Sequence, residues 1–306
     1  MTAITLIGNV NVDLIVRPVS ELPPPGSEHL VDAVEIRAGG AAAIAGLTLA
    51  RLGMRPRIVG CVGDDRFGRF LLEELEDSGL SVADVRVVGG VASGVSIAFE
   101  ADGRDRSFLT SLGSLDRLDR AMIADDALGA DAVFVGGYFL APRLRGGPTG
   151  GVLQEARDRG ATTFLDTGWD PEGWPETTRA EIEALLPLVD VFLPNADEAS
   201  GLTGLADARA GAEMLAARSG GRVVVKLGAE GCVAVDRDGS VRHVAALPVV
   251  PLDATGAGDA FDAGLIAALL EGLKFDAAVS FATRVGASVV ARPSSSRYPT
   301  RDELVP

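Results

Sequence analysis

The chain has 306 residues, with 28 Lys+Arg against 43 Asp+Glu, 2 His, 2 Cys and a formal net charge of -15. Length and 47% apolar residues supply a substantial core, as one large α/β domain or two smaller ones, so general disorder is not expected. Only Lys226 and Lys274 are lysines, so no basic tract can neutralise a phosphate backbone, and no nucleic-acid partner is expected. Cys61, Cys232, His29 and His243 are too dispersed for a zinc site of ordinary spacing, and the thiols read as reduced core residues. No basic residue precedes Arg17, and the uncharged stretches are short and rich in small residues. The expectation is a soluble, cytoplasmic protein without a membrane partner.

Apolar runs at residues 3–7, 57–61, 132–135, 162–165, 189–193 and 223–227, bounded by Gly, Asp or Pro, read as strands buried on both faces. Helical periodicity occupies residues 40–52, 67–77, 149–158, 176–188 and 206–218. The alternation predicts a parallel, doubly wound α/β sheet with crossover helices on both faces. Two segments break the rhythm. Residues 95–110 read as a hairpin with Asp102-Gly103 at its turn, and residues 14–36 carry Pro23-Pro24-Pro25-Gly26 with no helical period. Together they are expected to form a small sheet projecting from the body. Residues 231–236 and 240–245 read as a further hairpin, followed by helices at 261–273 and 275–291. No linker or repeat divides the chain, which is taken as one domain over 1–306, with lid segments near 14–36 and 95–110.

The most informative segment is Asp253-Ala254-Thr255-Gly256-Ala257-Gly258-Asp259-Ala260-Phe261. Small residues at 256–258 leave main-chain N–H groups open at a helix start, where the macrodipole favours an anion such as phosphate. Asp259 then falls in the first turn, placed to take a proton from a hydroxyl attacking phosphorus. An ordinary glycine-rich helix cap fits the local pattern equally. Neither G-x-x-x-x-G-K-[ST] nor G-x-G-x-x-G occurs, which disfavours a P-loop ATPase and a nicotinamide dehydrogenase. Gly39-Gly40 opens a second helix and suits either a close-approaching ligand or helix-on-sheet packing. Asn11 and Asp13 share a face if extended and suit a polyol, or are solvated residues at a strand exit. Asn195 and Glu198 stand three apart at a helix start, as in a capping pair.

In order, these segments resemble the ribokinase-like, PfkB carbohydrate kinases, from Gly8 to about residue 301. The segment 253–261 is similar to the family's D-[TS]-T-G-A-G-D-x-F, with Ala254 off-pattern. Gly39-Gly40, Asn11 with Asp13, Asn195 with Glu198, and Lys226-Leu227-Gly228 with Gly231 follow the family order. The resemblance implies a three-layer α/β/α Rossmann-like (ribokinase-like) sandwich with a small β-sheet lid. It implies ATP-dependent phosphorylation of a sugar or sugar-like hydroxyl, with Asp259 as base and the N–H groups of Gly256, Ala257 and Gly258 as anion hole. Asn195 and Glu198 would organise Mg²⁺, mainly through water. Asn11, Asp13, Gly39 and Gly40 would hold the acceptor, and Lys226, Gly228, Gly231 and Thr283 would lie by the nucleotide. Many members also use a monovalent cation such as K⁺; Asp253 and Thr255 match that site, while Ser294 and Arg297 stand where small residues are common.

Other departures concern the acceptor. Ile44 replaces an amide that binds a hydroxyl, and Leu140 lies near a position where ribokinases place a carboxylate, which disfavours ribose. Asp166-Thr167-Gly168-Trp169-Asp170 replaces D-x-N-x-R, and Trp169 would offer a stacking face or simply pack at the surface. The site implied is apolar-walled, for a less common sugar or a nucleoside. A non-catalytic sugar or nucleotide sensor on the same fold is the competing reading, and dimerisation through an exposed lid edge is a further expectation.

Overall fold

A computed structural model of the protein describes residues 2–19, 21–100 and 106–304. In chain order its strands are β1 (Ile4–Gly8), β2 (Asn11–Arg17), β3 (Ala33–Gly39), β4 (Arg57–Gly63), β5 (Val85–Val88), β6 (Val95–Phe99), β7 (Ser107–Ser111), β8 (Ala132–Gly136), β9 (Thr162–Asp166), β10 (Val191–Phe192), β11 (Arg222–Lys226), β12 (Cys232–Val235) and β13 (Val241–Val244). The α-helices are α1 (Ala41–Arg51), α2 (Arg66–Asp77), α3 (Gly147–Asp158), α4 (Glu176–Leu185), α5 (Ala196–Thr203), α6 (Ala208–Ser219), α7 (Ala257–Leu270) and α8 (Phe275–Val290).

Nine strands form the main sheet in the order β13-β12-β11-β10-β9-β8-β1-β4-β5. Pairing is parallel from β11 to β5, and β12 and β13 add an antiparallel edge. Strand alternation divides the apolar residues between two cores. On β8, Ala132 and Phe134 face the core shared with α1, α7 and α8, whereas Val133 and Val135 face the core shared with α3, α4, α5 and α6. The expected three-layer α/β/α sandwich is therefore present, its continuous apolar strands explained by burial on both faces.

The lid is a separate four-stranded sheet in the order β3-β2-β6-β7. Its β2–β3 pair is antiparallel from Asn11↔Gly39 to Arg17↔Ala33, β2–β6 is parallel, and β6–β7 is antiparallel. The Asp102-Gly103 turn expected between β6 and β7 lies outside the described residues. Strand β2 begins at Asn11 and β3 ends at Gly39, so Asn11, Asp13 and Gly39 belong to this sheet instead of flanking it.

Other boundaries moved for local reasons. The short, partly exposed edge strand β5 gives no apolar run to detect. Helix α6 is preceded by a separate α5, closed by Gly204 at φ 74°. Helix α4 stops at Leu185 before a single 3₁₀ turn containing Pro187. Helix α7 starts at Ala257, ahead of the expected 261, because Gly256 already turns the chain into it in the left-handed conformation.

Candidate active site

The start of α7 is a turn that only glycine fits. Gly256 has φ 72°, and a Cβ there would stand 2.8 Å from Ile44 Cδ1. No side chain caps this helix. The Ala257 N–H donates to the Ala254 carbonyl at 3.2 Å, which tightens the approach. Asp259 follows in the first turn, half-buried. Desolvation, with the Asp166 and Asp13 charges adding and Lys226 opposing, pushes its carboxyl up to about 7.

Beside Asp259 lies an acidic cluster built from three elements. Lys226, at the end of β11, donates from Nζ to Asp166 Oδ2 at 2.7 Å and to the Asp262 carboxylate at 3.0 and 3.1 Å. Oxygens of Asp166, Asp259 and Asp262 come within 4.8 Å of one another. Burial would raise Asp166, but the Lys226 charge holds it below the ordinary carboxylate range. Asp262, one turn further into the core, is raised well above its ordinary value by desolvation and by the Asp166 charge. The two carboxyl groups are thus shifted in opposite directions, Asp166 down by the ammonium and Asp262 up by burial.

Asn195 and Glu198 form a full capping box at the start of α5. The Glu198 N–H donates to Asn195 Oδ1 at 2.9 Å, while Glu198 accepts from the Asn195 N–H at 2.9 Å and from Asn195 Nδ2 at 2.7 Å. Glu198 is buried, and desolvation together with the Asp166 charge pushes it up to about 8. The cap alone would explain the pair; its electrostatic contact with Asp166 and Asp259 places it at the acidic cluster.

On the lid side, three polar residues form one relay. Asn9 Nδ2 donates to Asn11 Oδ1 at 2.8 Å, and Asn11 Nδ2 donates to Asp13 Oδ1 at 2.8 Å. Desolvation pushes Asp13 up to about 6, against the Asn11 hydrogen bond and the Arg37 charge. Gly39 faces this carboxylate so closely that a Cβ would lie 2.2 Å from Asp13 Cγ. At Gly40, φ is 95° and a Cβ would meet the Asn9 carbonyl at 2.4 Å and Asn11 Oδ1 at 2.7 Å. Both glycines are thus dictated by the polar relay, which goes beyond simple helix-on-sheet packing. Asn9, not singled out in the sequence, is the hub: its Oδ1 also accepts from the Ala41 N–H at 3.0 Å. The only sequence signal was its place among three polar side chains in an apolar run.

Asp253 and Thr255, just before the turn, are held by arginines. Arg297 donates from Nη1 to Asp253 Oδ2 at 3.1 Å and from Nη2 to the Thr255 carbonyl. Arg37 donates to the same Asp253 oxygen, Arg106 donates to Thr255 Oγ1, and the Thr255 N–H donates to Asp253 Oδ1 at 2.7 Å. Burial would raise Asp253, but Arg297, the Thr255 N–H and Arg37 hold it far below the carboxylate range. Ser294 Oγ donates to Glu35 at 2.6 Å, and Glu35 in turn pairs with Arg17 and Arg37. The groups matched to a monovalent cation are thus occupied by guanidinium, and the donor set does not fit K⁺.

The remaining expected residues are less convergent. Gly231, at φ 93°, is required by the hairpin, since a Cβ would stand 2.0 Å from the Val244 carbonyl; Gly228, at φ 57°, has open space around it. The Thr283 hydroxyl donates to the Val279 carbonyl at 2.9 Å and faces Cys232 Sγ at 3.8 Å, inside the core. Trp169 is 57% exposed and makes a T-shaped contact with Trp174, ring centroids 6.0 Å apart.

A family model described as pfkB family carbohydrate kinase matches residues 1–301. The chain belongs to this family of carbohydrate kinases. It is 28% identical to the ribokinase of Haemophilus influenzae over 99% of this chain and 97% of that protein. It is 31% identical to the 2-dehydro-3-deoxygluconokinase of Thermoproteus tenax over 87% of this chain and 83% of that protein. The crystal structure of a PfkB protein from Polaromonas sp. JS666 superposes with a TM-score of 0.80 at 27% identity, covering 99% of each chain. The activity is ATP-dependent phosphorylation of a sugar, and the sensor reading is not favoured. Among the described residues no helix is long and apolar enough to cross a membrane.

The kinase's donor set fits a divalent cation. Glu198 and Asp166 offer hard oxygen donors, with Asp259 and Asp262 close to Asp166 and a single ammonium among them, and burial raises Glu198 and Asp259. The uncapped start of α7 fits a phosphate.

Proposed function

We propose that Asp259 is the general base of the phosphoryl transfer and that the 256–258 turn is its anion hole. The acceptor hydroxyl gives its proton to the Asp259 carboxylate, its oxygen forms the new bond to the γ-phosphorus, and the bond from that phosphorus to the bridging oxygen breaks to release ADP. Main-chain N–H groups at the start of α7 stabilise charge gathering on the transferring phosphoryl oxygens. Mg²⁺, held by Glu198 and Asn195 with Asp166 nearby, would offset the negative charge of the nucleotide phosphates. Asn11 and Asp13 orient the acceptor from the lid, where Asp13 is close enough to Asp259 to raise it. Ile44, packed on Gly256, puts apolar surface beside the turn, which favours an acceptor with fewer hydroxyls on that side.

The observation that carries this reading is the raised, half-buried Asp259 in the first turn of an uncapped helix. The test is Asp259→Asn, with acceptor-dependent ADP release measured over pentoses, hexoses, keto-deoxy acids and nucleosides. Turnover should fall about 10²- to 10⁴-fold with nucleotide binding retained. Near-native turnover would overturn the assignment.

The lid's outer residues support self-association: Val34, Ile36, Phe108 and Leu109 are exposed, and β7 is an edge strand. A cytoplasmic setting agrees with the two buried free thiols, Cys61 and Cys232.

A further inference from the structure

The Asp253 side chain is 4% exposed and that of Arg297 is 5% exposed. A carboxylate buried to this degree needs an opposite charge, and a guanidinium buried to this degree needs acceptors. Arginine meets both needs at once, because its planar fork reaches a carboxylate with one nitrogen and a main-chain carbonyl with the other, and it stays charged at any working pH. That is the arrangement found: Nη1 on Asp253 Oδ2 and Nη2 on the Thr255 carbonyl, immediately before Gly256. Arg37 reinforces the same carboxylate oxygen, and Arg106 and Arg17 stand 3.7 and 3.9 Å from Asp253. A monovalent ion entering here would meet several guanidinium groups at close range. It would also strip Arg297 of acceptors in a buried setting, where like-charge repulsion is poorly screened.

We propose that this kinase carries the cation of its anion-hole loop within its own chain. Arg297, backed by Arg37, fixes the Thr255 carbonyl and through it the pitch of the turn, so phosphoryl transfer needs no K⁺ or other monovalent ion. Arg297 is a positioning residue, acting through Thr255 and not on the reacting atoms. The inference rests on the reading of residues 256–258 as the anion hole.

The test compares choline, sodium and potassium chlorides at roughly 0.1 M and matched ionic strength. Acceptor-dependent ADP release and thermal unfolding are both followed, for the native kinase and for Arg297→Ala. The native kcat should be the same in all three salts, and its melting temperature should be indifferent to K⁺. Arg297→Ala should lose about tenfold or more of kcat in choline, roughly 1.4 kcal/mol, recover part of it in K⁺, and melt higher in K⁺ than in choline. A native enzyme about tenfold slower in choline than in K⁺ overturns the inference, as does Arg297→Ala with native kcat in choline. Should that variant fail to fold, the native salt series decides alone. A preparation that phosphorylates no acceptor in any salt speaks against the Asp259 reading instead, and its melting response to K⁺ still decides this one.

Discussion

Lys226 and Asp166 meet at 2.7 Å although they sit on strands β11 and β9, with β10 between them. The lysine reaches across the carboxyl edge of the sheet and supplies the positive charge of an otherwise acidic cluster. Lys226→Met should therefore leave buried carboxylates without a partner and lower unfolding free energy by about 3–5 kcal/mol. Because Lys226 is the group that lowers Asp259, the acidic limb of kcat/KM should also move to higher pH. Denaturant titration and a pH–rate profile check both effects, and an unchanged profile would remove Lys226 from the electrostatics of the base.

Asp259 couples activity and stability to pH in opposite directions. In the folded chain it titrates near 7 against an ordinary 3.8, so between those values the folded state holds a proton that the unfolded chain has released. Stability therefore falls as pH rises through this window, while the active carboxylate form grows. Turnover should rise with pH through about 7. Asp259→Asn should melt above the native protein at about pH 8, the gap closing towards about pH 4. A variant melting at or below the native protein at the higher pH would show that the carboxylate is not destabilised there.

Gly39→Ala tests the acceptor relay. The backbone at 39 is open to alanine, but the added carbon would fall 2.2 Å from Asp13 Cγ, so Asp13 must move. The KM for the acceptor should rise about tenfold or more, roughly 1.4 kcal/mol, with the nucleotide KM little altered. An equal rise in both would place Asp13 outside the acceptor site.

Phe108 is 51% exposed on the lid's edge strand. Phe108→Asp should convert a dimer into a monomer in light scattering coupled to size-exclusion chromatography, without lowering the unfolding free energy of the body. A native protein that is already monomeric at high concentration would remove the lid as an interface.

The layered body was legible because β1, β8, β9 and β11 are apolar on both faces, a pattern that only a doubly covered sheet produces. The tight turn into α7 was legible because Gly256, Ala257, Gly258 and Asp259 are contiguous. What could not be read was convergence over long separations. Neither Asp262 nor Arg37 was singled out in the sequence. Only the folded chain brings Arg37 to Asp253, 216 residues away, and Lys226 to Asp262, 36 residues away. The Thr283 hydroxyl, matched to the nucleotide side by resemblance, is held by a helix carbonyl and lies against Cys232.

Only Asn9 and Val10 separate β1 from β2, and Gly40 alone separates β3 from α1. Those joints lie against each other, since Gly40 faces the Asn9 carbonyl. Asn11, Asp13 and Gly39 thus ride on the small sheet at its joint with the body, whereas Asp259 belongs to the body. With the roles proposed above, outward movement of the small sheet would part Asn11 and Asp13 from Asp259, so discharge of the phosphorylated product and disassembly of the acceptor pocket would be one mechanical event.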